Sequence, residues 1–119
     1  MLHRTTDRLG AFALVELMIV IAILGILLSI AIPSWLSARK SARAKGCIEN
    51  LSQLTGAITR WSFDEGKSTG DAGPAIADLT DRKYLRSEPR CPDGDVAYVI
   101  PLIGYDPVCP SGISGHVLP

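Results

Sequence analysis

Glu16 stands alone in an apolar stretch. From Ala11 to Ile32 it is the one ionisable side chain, and Ser29 is the one other polar one. A carboxylate costs about 2.5–3.5 kcal/mol at the middle of a bilayer and less near the headgroups. Two chemistries reconcile it with that setting. It can lie close enough to the headgroups to stay wet. Or it can await a cation, and a free α-amino group of a neighbouring subunit held at the same depth would serve.

Other reactive groups are few. The chain has three cysteines, Cys47, Cys91 and Cys109, and two histidines, His3 and His116. No pair of cysteines forms a C-x-x-C motif, and the histidines are not at zinc-ligand spacing. A site built from Cys91, Cys109 and His116 is conceivable; one disulfide with one thiol left over is the expected use of the cysteines. Asp93, Asp95 and Asp106 offer three carboxylates to a calcium ion. Asp93, Gly94 and Asp95 read equally as ordinary turn residues, and no metal is expected there. "EGKST" contains Gly-Lys-Ser, but a phosphate-binding loop needs a glycine where Trp61 stands. No nucleophile–base pair or carboxylate dyad stands out, so neither an enzyme nor a cofactor is expected. Twelve basic and twelve acidic side chains leave the chain neutral, which removes a general electrostatic case for nucleic acid.

The elements that position these groups follow from the pattern. The run from Ala11 to Ile32 is long enough to cross a hydrocarbon core as a helix, since about 20 residues suffice. It exceeds the roughly 7–15 apolar residues of an ordinary secretory signal. Gly25 and Pro33 mark places where such a helix can bend. From Ala38 to Trp61 good helix formers dominate. Cys47, Leu51, Leu54, Ile58 and Trp61 recur at steps of four and three, forming one apolar stripe. The helix therefore continues as an amphipathic one and stops near Phe63–Gly66. From Phe12 to Asp64 it would run about 80 Å.

After Gly66 the pattern breaks into short pieces. "AIADLTDRKYL" reads as a short helix or turn with Ile76, Leu79 and Leu85 inward. "VAYVIPLIG" and "YDPVCP" read as strands, with Pro101 implying an edge or a bend. A small antiparallel sheet of two or three strands lying on the helical stripe is expected. With its turn near Ile100, Cys91 and Cys109 would lie opposite each other. Their disulfide would stabilise by about 3 kcal/mol. Cys47–Cys91 and Cys47–Cys109 are the alternatives.

"AFALVELMIVIAILGILLSIAIPSW" closely resembles the N-terminal segment of type IV pilins and type II secretion pseudopilins. In that family a membrane prepilin peptidase removes a short basic leader and methylates the new N-terminal Phe. A glutamate stands fifth in the mature chain and a proline often twenty-second. Counted from Phe12, Glu16 is fifth and Pro33 twenty-second. The residue before the cut is usually Gly in that family, and here it is Ala11. A cut after Gly10 would spoil both offsets, so Ala11/Phe12 is the expected site.

The resemblance implies an α+β pilin-like fold: residues 1–11 as leader, 12–36 as the membrane and assembly half of a long helix, 37–65 as its amphipathic half, and 66–119 as a small C-terminal region. It implies a single-pass inner-membrane subunit with its C-terminal region outside the cytoplasm. Arg39, Lys40, Arg43 and Lys45 after the run argue the opposite orientation by charge alone. Leader cleavage, which needs a cytoplasmic leader, decides against them. The implied partners are copies of the chain in a periplasmic or extracellular filament, the prepilin peptidase, and an assembly platform with its ATPase. Glu16 would pair with the Phe12 amino group of an adjacent subunit. A minor pilin that primes assembly or binds DNA, and a signal-anchored envelope protein with a small ligand-binding domain, are the alternatives.

Overall fold

The structure is a computed structural model that describes residues 3–119, with side chains from Arg8 onward; the first two residues of the expected leader lie outside the described residues. It has two helices, α1 (His3–Asp64) and α2 (Ile76–Asp81). The chain divides into two units, Met1–Arg39 and Lys40–Pro119.

The first unit is the apolar part of α1. It is helical through Gly25 and Pro33 without a break, and every side chain from Arg8 to Arg39 is exposed. Pro33 removes one backbone donor, a loss that membrane helices tolerate. The Ser29 hydroxyl donates back to the Ile26 carbonyl at 2.7 Å, so the second polar side chain of the run is satisfied within its own helix. Near the end of the unit the Arg39 guanidinium lies 5.3 Å from the centre of the Trp35 ring. A tryptophan stacked under an arginine is suited to the headgroup level, where one end is apolar and the other wet.

The second unit is built on the rest of α1. Cys47, Leu51, Leu54, Ala57, Ile58 and Trp61 are buried along one face, and Leu79, Leu85, Cys91, Tyr98 and Ile103 cover them. The steps of three and four seen in the sequence are thus the contact face of the helix. α1 ends in a Schellman arrangement. Gly66 takes φ +63°, the Lys67 N–H donates to the Ser62 carbonyl at 2.8 Å, and the Gly66 N–H donates to the Phe63 carbonyl at 3.3 Å. Tyr84 bonds Asp64 and Arg82 pairs with Glu65, which fastens the segment after α2 to the helix end.

The expected C-terminal sheet is not there. Among the described residues there is no strand, only two isolated antiparallel bridges, Arg90–Ala97 and Val99–Val108. The reason lies in the prolines. Val99 and Val108 exchange both backbone bonds, at 3.1 and 3.2 Å. In an antiparallel ladder the next hydrogen-bonded pairs would be 97 with 110 and 101 with 106. Positions 110 and 101 are both proline, so each extension lacks a donor. The bridge cannot grow in either direction. It also moves the expected turn from Ile100 to the Ile103–Gly104 region. Loop contacts take the place of the ladder: the Gly70 N–H donates to the Ile103 carbonyl at 2.8 Å and the Ile103 N–H to the Asp71 carbonyl at 2.9 Å.

Candidate functional site

Two features invite a functional reading, one in each unit. The first is the exposed apolar helix. Ala11, Phe12 and Glu16 all lie on α1 and all are exposed. One helical turn on either side of Glu16 places Phe12, Ala13, Ile19 and Val20, all apolar. No cation is available to Glu16 from its own helical face. Among the described residues this is the one helix long and apolar enough to cross a membrane, and none of its apolar stretch is buried. Soluble proteins keep such surfaces small, so a continuous run of this kind needs lipid or other helices around it.

The second feature is a cluster in the Lys40–Pro119 unit. Cys47, Cys91, Cys109 and His116 bring their sulfur and nitrogen atoms within 4.8 Å of one another. Each arrives from a different segment. Cys47 sits on the buried stripe of α1. Cys91 opens the tight turn in which the Asp95 N–H donates to the Cys91 carbonyl at 3.1 Å. Cys109 follows the Val99–Val108 bridge, and His116 lies in the glycine-punctuated tail. Cys47, Cys91 and His116 are buried and Cys109 is half-buried.

The cluster has a defined set of polar neighbours. His116 Nδ1 lies 3.3 Å from Cys91 Sγ, while Nε2 lies 4.0 Å from Asp93 Oδ2. Asp93 in turn meets Arg43 at 3.2 Å. The Tyr98 hydroxyl reaches Cys47 Sγ at 3.5 Å and accepts from Asn50 Nδ2 at 3.3 Å. Cys109 Sγ donates to Ser111 Oγ at 3.1 Å. Burial pushes the Cys47 thiol up to about 12, against the pull of the Tyr98 hydroxyl. Burial also raises Tyr98. Burial resists ionisation of Cys109 too, but its thiolate would accept hydrogen bonds from the side chain and backbone of Ser111, and these together with the neighbouring Cys91 and Cys47 lower this thiol below the ordinary range.

All three cysteines are free thiols in the structure, and the expected pair Cys91 and Cys109 meets within the cluster without a bond between them. The Val99–Val108 register does not set Cys91 opposite Cys109 on a ladder, yet the loop paths still bring their sulfur atoms within 4.8 Å. The Cys91, Cys109 and His116 grouping raised from the sequence does come together, and Cys47, expected as the thiol left over from a Cys91–Cys109 bridge, joins it. The stripe placed Cys47 in the core. Its convergence with Cys91, Cys109 and His116 depends on loop paths that the sequence pattern does not encode.

The three aspartates do not converge. Asp93 faces Arg43 and His116, Asp95 is mostly exposed beside Arg90, and Asp106 lines a separate shallow depression with Thr55 and Thr59. Among the described residues the converging group of possible metal ligands is the cysteine–histidine cluster.

Comparison with known proteins gives one informative relative. The chain is 27% identical over 100 residues to the type II secretion system core protein G of Klebsiella pneumoniae, a match covering 74% of this chain and 71% of that protein. No family model and no solved structure matches the chain. The long apolar N-terminal helix and this secretion-system relative both agree with the resemblance carried by the segment around Glu16.

Proposed function

We propose that the chain is a structural subunit of a type II secretion pseudopilus, made as a prepilin and polymerised through the apolar part of α1. The observation that carries this is the wholly exposed apolar run with one carboxylate, Glu16, at the fifth position counted from Phe12. The secretion-system relative favours a pseudopilus over a pilus. On this reading the peptidase cuts between Ala11 and Phe12 and methylates Phe12. The subunit waits in the inner membrane with its C-terminal region outside the cytoplasm, and a separate ATPase drives extraction. The subunit itself carries out no catalysis. Glu16 then meets the ammonium of Phe12 on a neighbour, which lets both charges enter an apolar bundle together.

Two measurements test this in cells that hold an active prepilin peptidase and secretion apparatus. Mass spectrometry of the membrane-extracted protein should give an N-terminus at methylated Phe12, and mechanical shearing should release part of the protein in filaments. An uncut chain that stays wholly in the membrane fraction would point to a signal-anchored envelope protein instead.

A further inference from the structure

We propose that Cys47, Cys91, Cys109 and His116 form a structural zinc site that ties α1 to the three loop segments of the Lys40–Pro119 unit.

The donor set is the first argument. Three thiols and one imidazole, from four separate segments, lie within 4.8 Å of one another. In a tetrahedral zinc site with Zn–S near 2.3 Å and Zn–N near 2.0–2.1 Å, ligand atoms stand roughly 3.5–3.8 Å apart. The observed spread needs only a small contraction to reach that. Soft thiolates with one imidazole in a four-fold closed set select zinc over the hard cations calcium and magnesium.

The surroundings of His116 are the second argument. The side chain is buried, with 2% of its surface exposed, in a unit whose buried side chains are otherwise almost all apolar. Its two ring nitrogens face different things. Nδ1 points into the sulfur cluster, 3.3 Å from Cys91 Sγ. Nε2 faces Asp93 Oδ2 at 4.0 Å. A zinc-bound histidine characteristically turns its other nitrogen to a carboxylate, which fixes the ring and its tautomer. Asp93 is itself held by Arg43 at 3.2 Å.

The third argument is arithmetic and architecture. A disulfide uses two of the three thiols and gives His116 nothing to do. A zinc ion uses all four groups. It also supplies what this unit lacks. With one six-residue helix and two isolated bridges beyond α1, the region has little backbone pairing to hold its loops. Small scaffolds of this kind rely on staples, and a structural metal is one of them. On binding, each thiol gives up its proton to solvent and the zinc takes the place of those protons. No redox change is involved.

The test uses the full chain in detergent, purified anaerobically with a phosphine reductant, loaded with zinc sulfate and desalted. Elemental analysis should give about one zinc per chain. Cobalt loaded in its place should show a sulfur-to-cobalt charge-transfer band and the intense visible bands of a tetrahedral site. His116→Ala should weaken zinc binding at least about tenfold in competition with a chromophoric chelator, and His116→Cys, which restores four soft ligands, should regain it. Cys47→Ser, which removes one of the four ligands, should abolish tight binding, and a chain purified without reductant that shows one free thiol in place of three would assign the cysteines to a disulfide instead. These variants can unfold, so the wild-type chain carries an independent readout. Its three thiols should resist a thiol reagent and all become reactive when chelator is added. A reduced wild-type chain that retains no zinc, or thiols whose reactivity ignores the chelator, would overturn the site.

Discussion

Glu16 concentrates the question of how a charged residue survives in an apolar helix. Its helical neighbours Phe12, Ala13, Ile19 and Val20 offer it no cation. If it merely sits wet at the headgroups, Glu16→Gln should change little. If it meets a neighbour's ammonium, glutamine keeps the shape and removes the charge. The ammonium then enters the bundle unpaired, and breaking one half of a buried pair costs about 3–5 kcal/mol. That cost falls on assembly, because the single subunit in lipid makes no such pair. Glu16→Leu should insert into the membrane at least as well and assemble as poorly. Both variants are expected to accumulate as processed, membrane-bound subunits with a strongly reduced sheared-filament fraction. Normal filament yield from Glu16→Leu would leave the carboxylate without a role in assembly.

At the scale of elements, what the sequence revealed and what it concealed divide along a physical line. The buried face of α1 from Cys47 to Trp61, its stop at Gly66 and the inward turn of Leu79 and Leu85 are encoded by local spacing and local backbone preference. The β-branched run "VAYVIPLIG" looks like strand by composition, yet ladder growth depends on which residue faces which. Pro101 and Pro110 block it only because the register pairs Val99 with Val108. Register is a long-range property, and so is the meeting of the three cysteines with His116.

The same contrast yields a paired prediction on glycines. Gly56 lies exposed in the helix, and an added Cβ would meet nothing within 4 Å. Gly56→Ala should raise stability by about 0.5–1 kcal/mol. Gly73 lies where a loop passes against the 100–101 segment, and a Cβ there would fall 2.4 Å from the Pro101 carbonyl oxygen. Gly73→Ala should lower stability by about 1–3 kcal/mol, because rigid backbone must move. Urea midpoints of the two variants against the parent chain would test both signs. Equal shifts in one direction would mean that the loop packs elsewhere than against Pro101.

For the whole molecule, the proposed reading has folding and assembly draw on different parts of the chain. Among the described residues the core lies entirely within Lys40–Pro119, whereas the apolar side chains from Leu9 to Ala38 are exposed. Leaving each large apolar side chain in water costs about 1.5–3 kcal/mol, so the full chain needs lipid or a helical bundle. Passing from lipid into a bundle gains little further hydrophobic energy, because lipid tails are as apolar as leucine. On the proposed reading, close packing and the Glu16 pairing direct assembly rather than burial itself. A fragment beginning at Lys40 keeps the core and loses both directing features. It should be soluble without detergent, monomeric by sedimentation, and unfold in one cooperative transition. Its helical signal should come from Lys40–Asp64 and α2 alone. Added to assembling cells, it should neither enter the sheared-filament fraction nor depress the yield of the intact subunit. Incorporation of the fragment would show that the C-terminal unit carries the subunit contacts, and the apolar helix would then be an anchor alone.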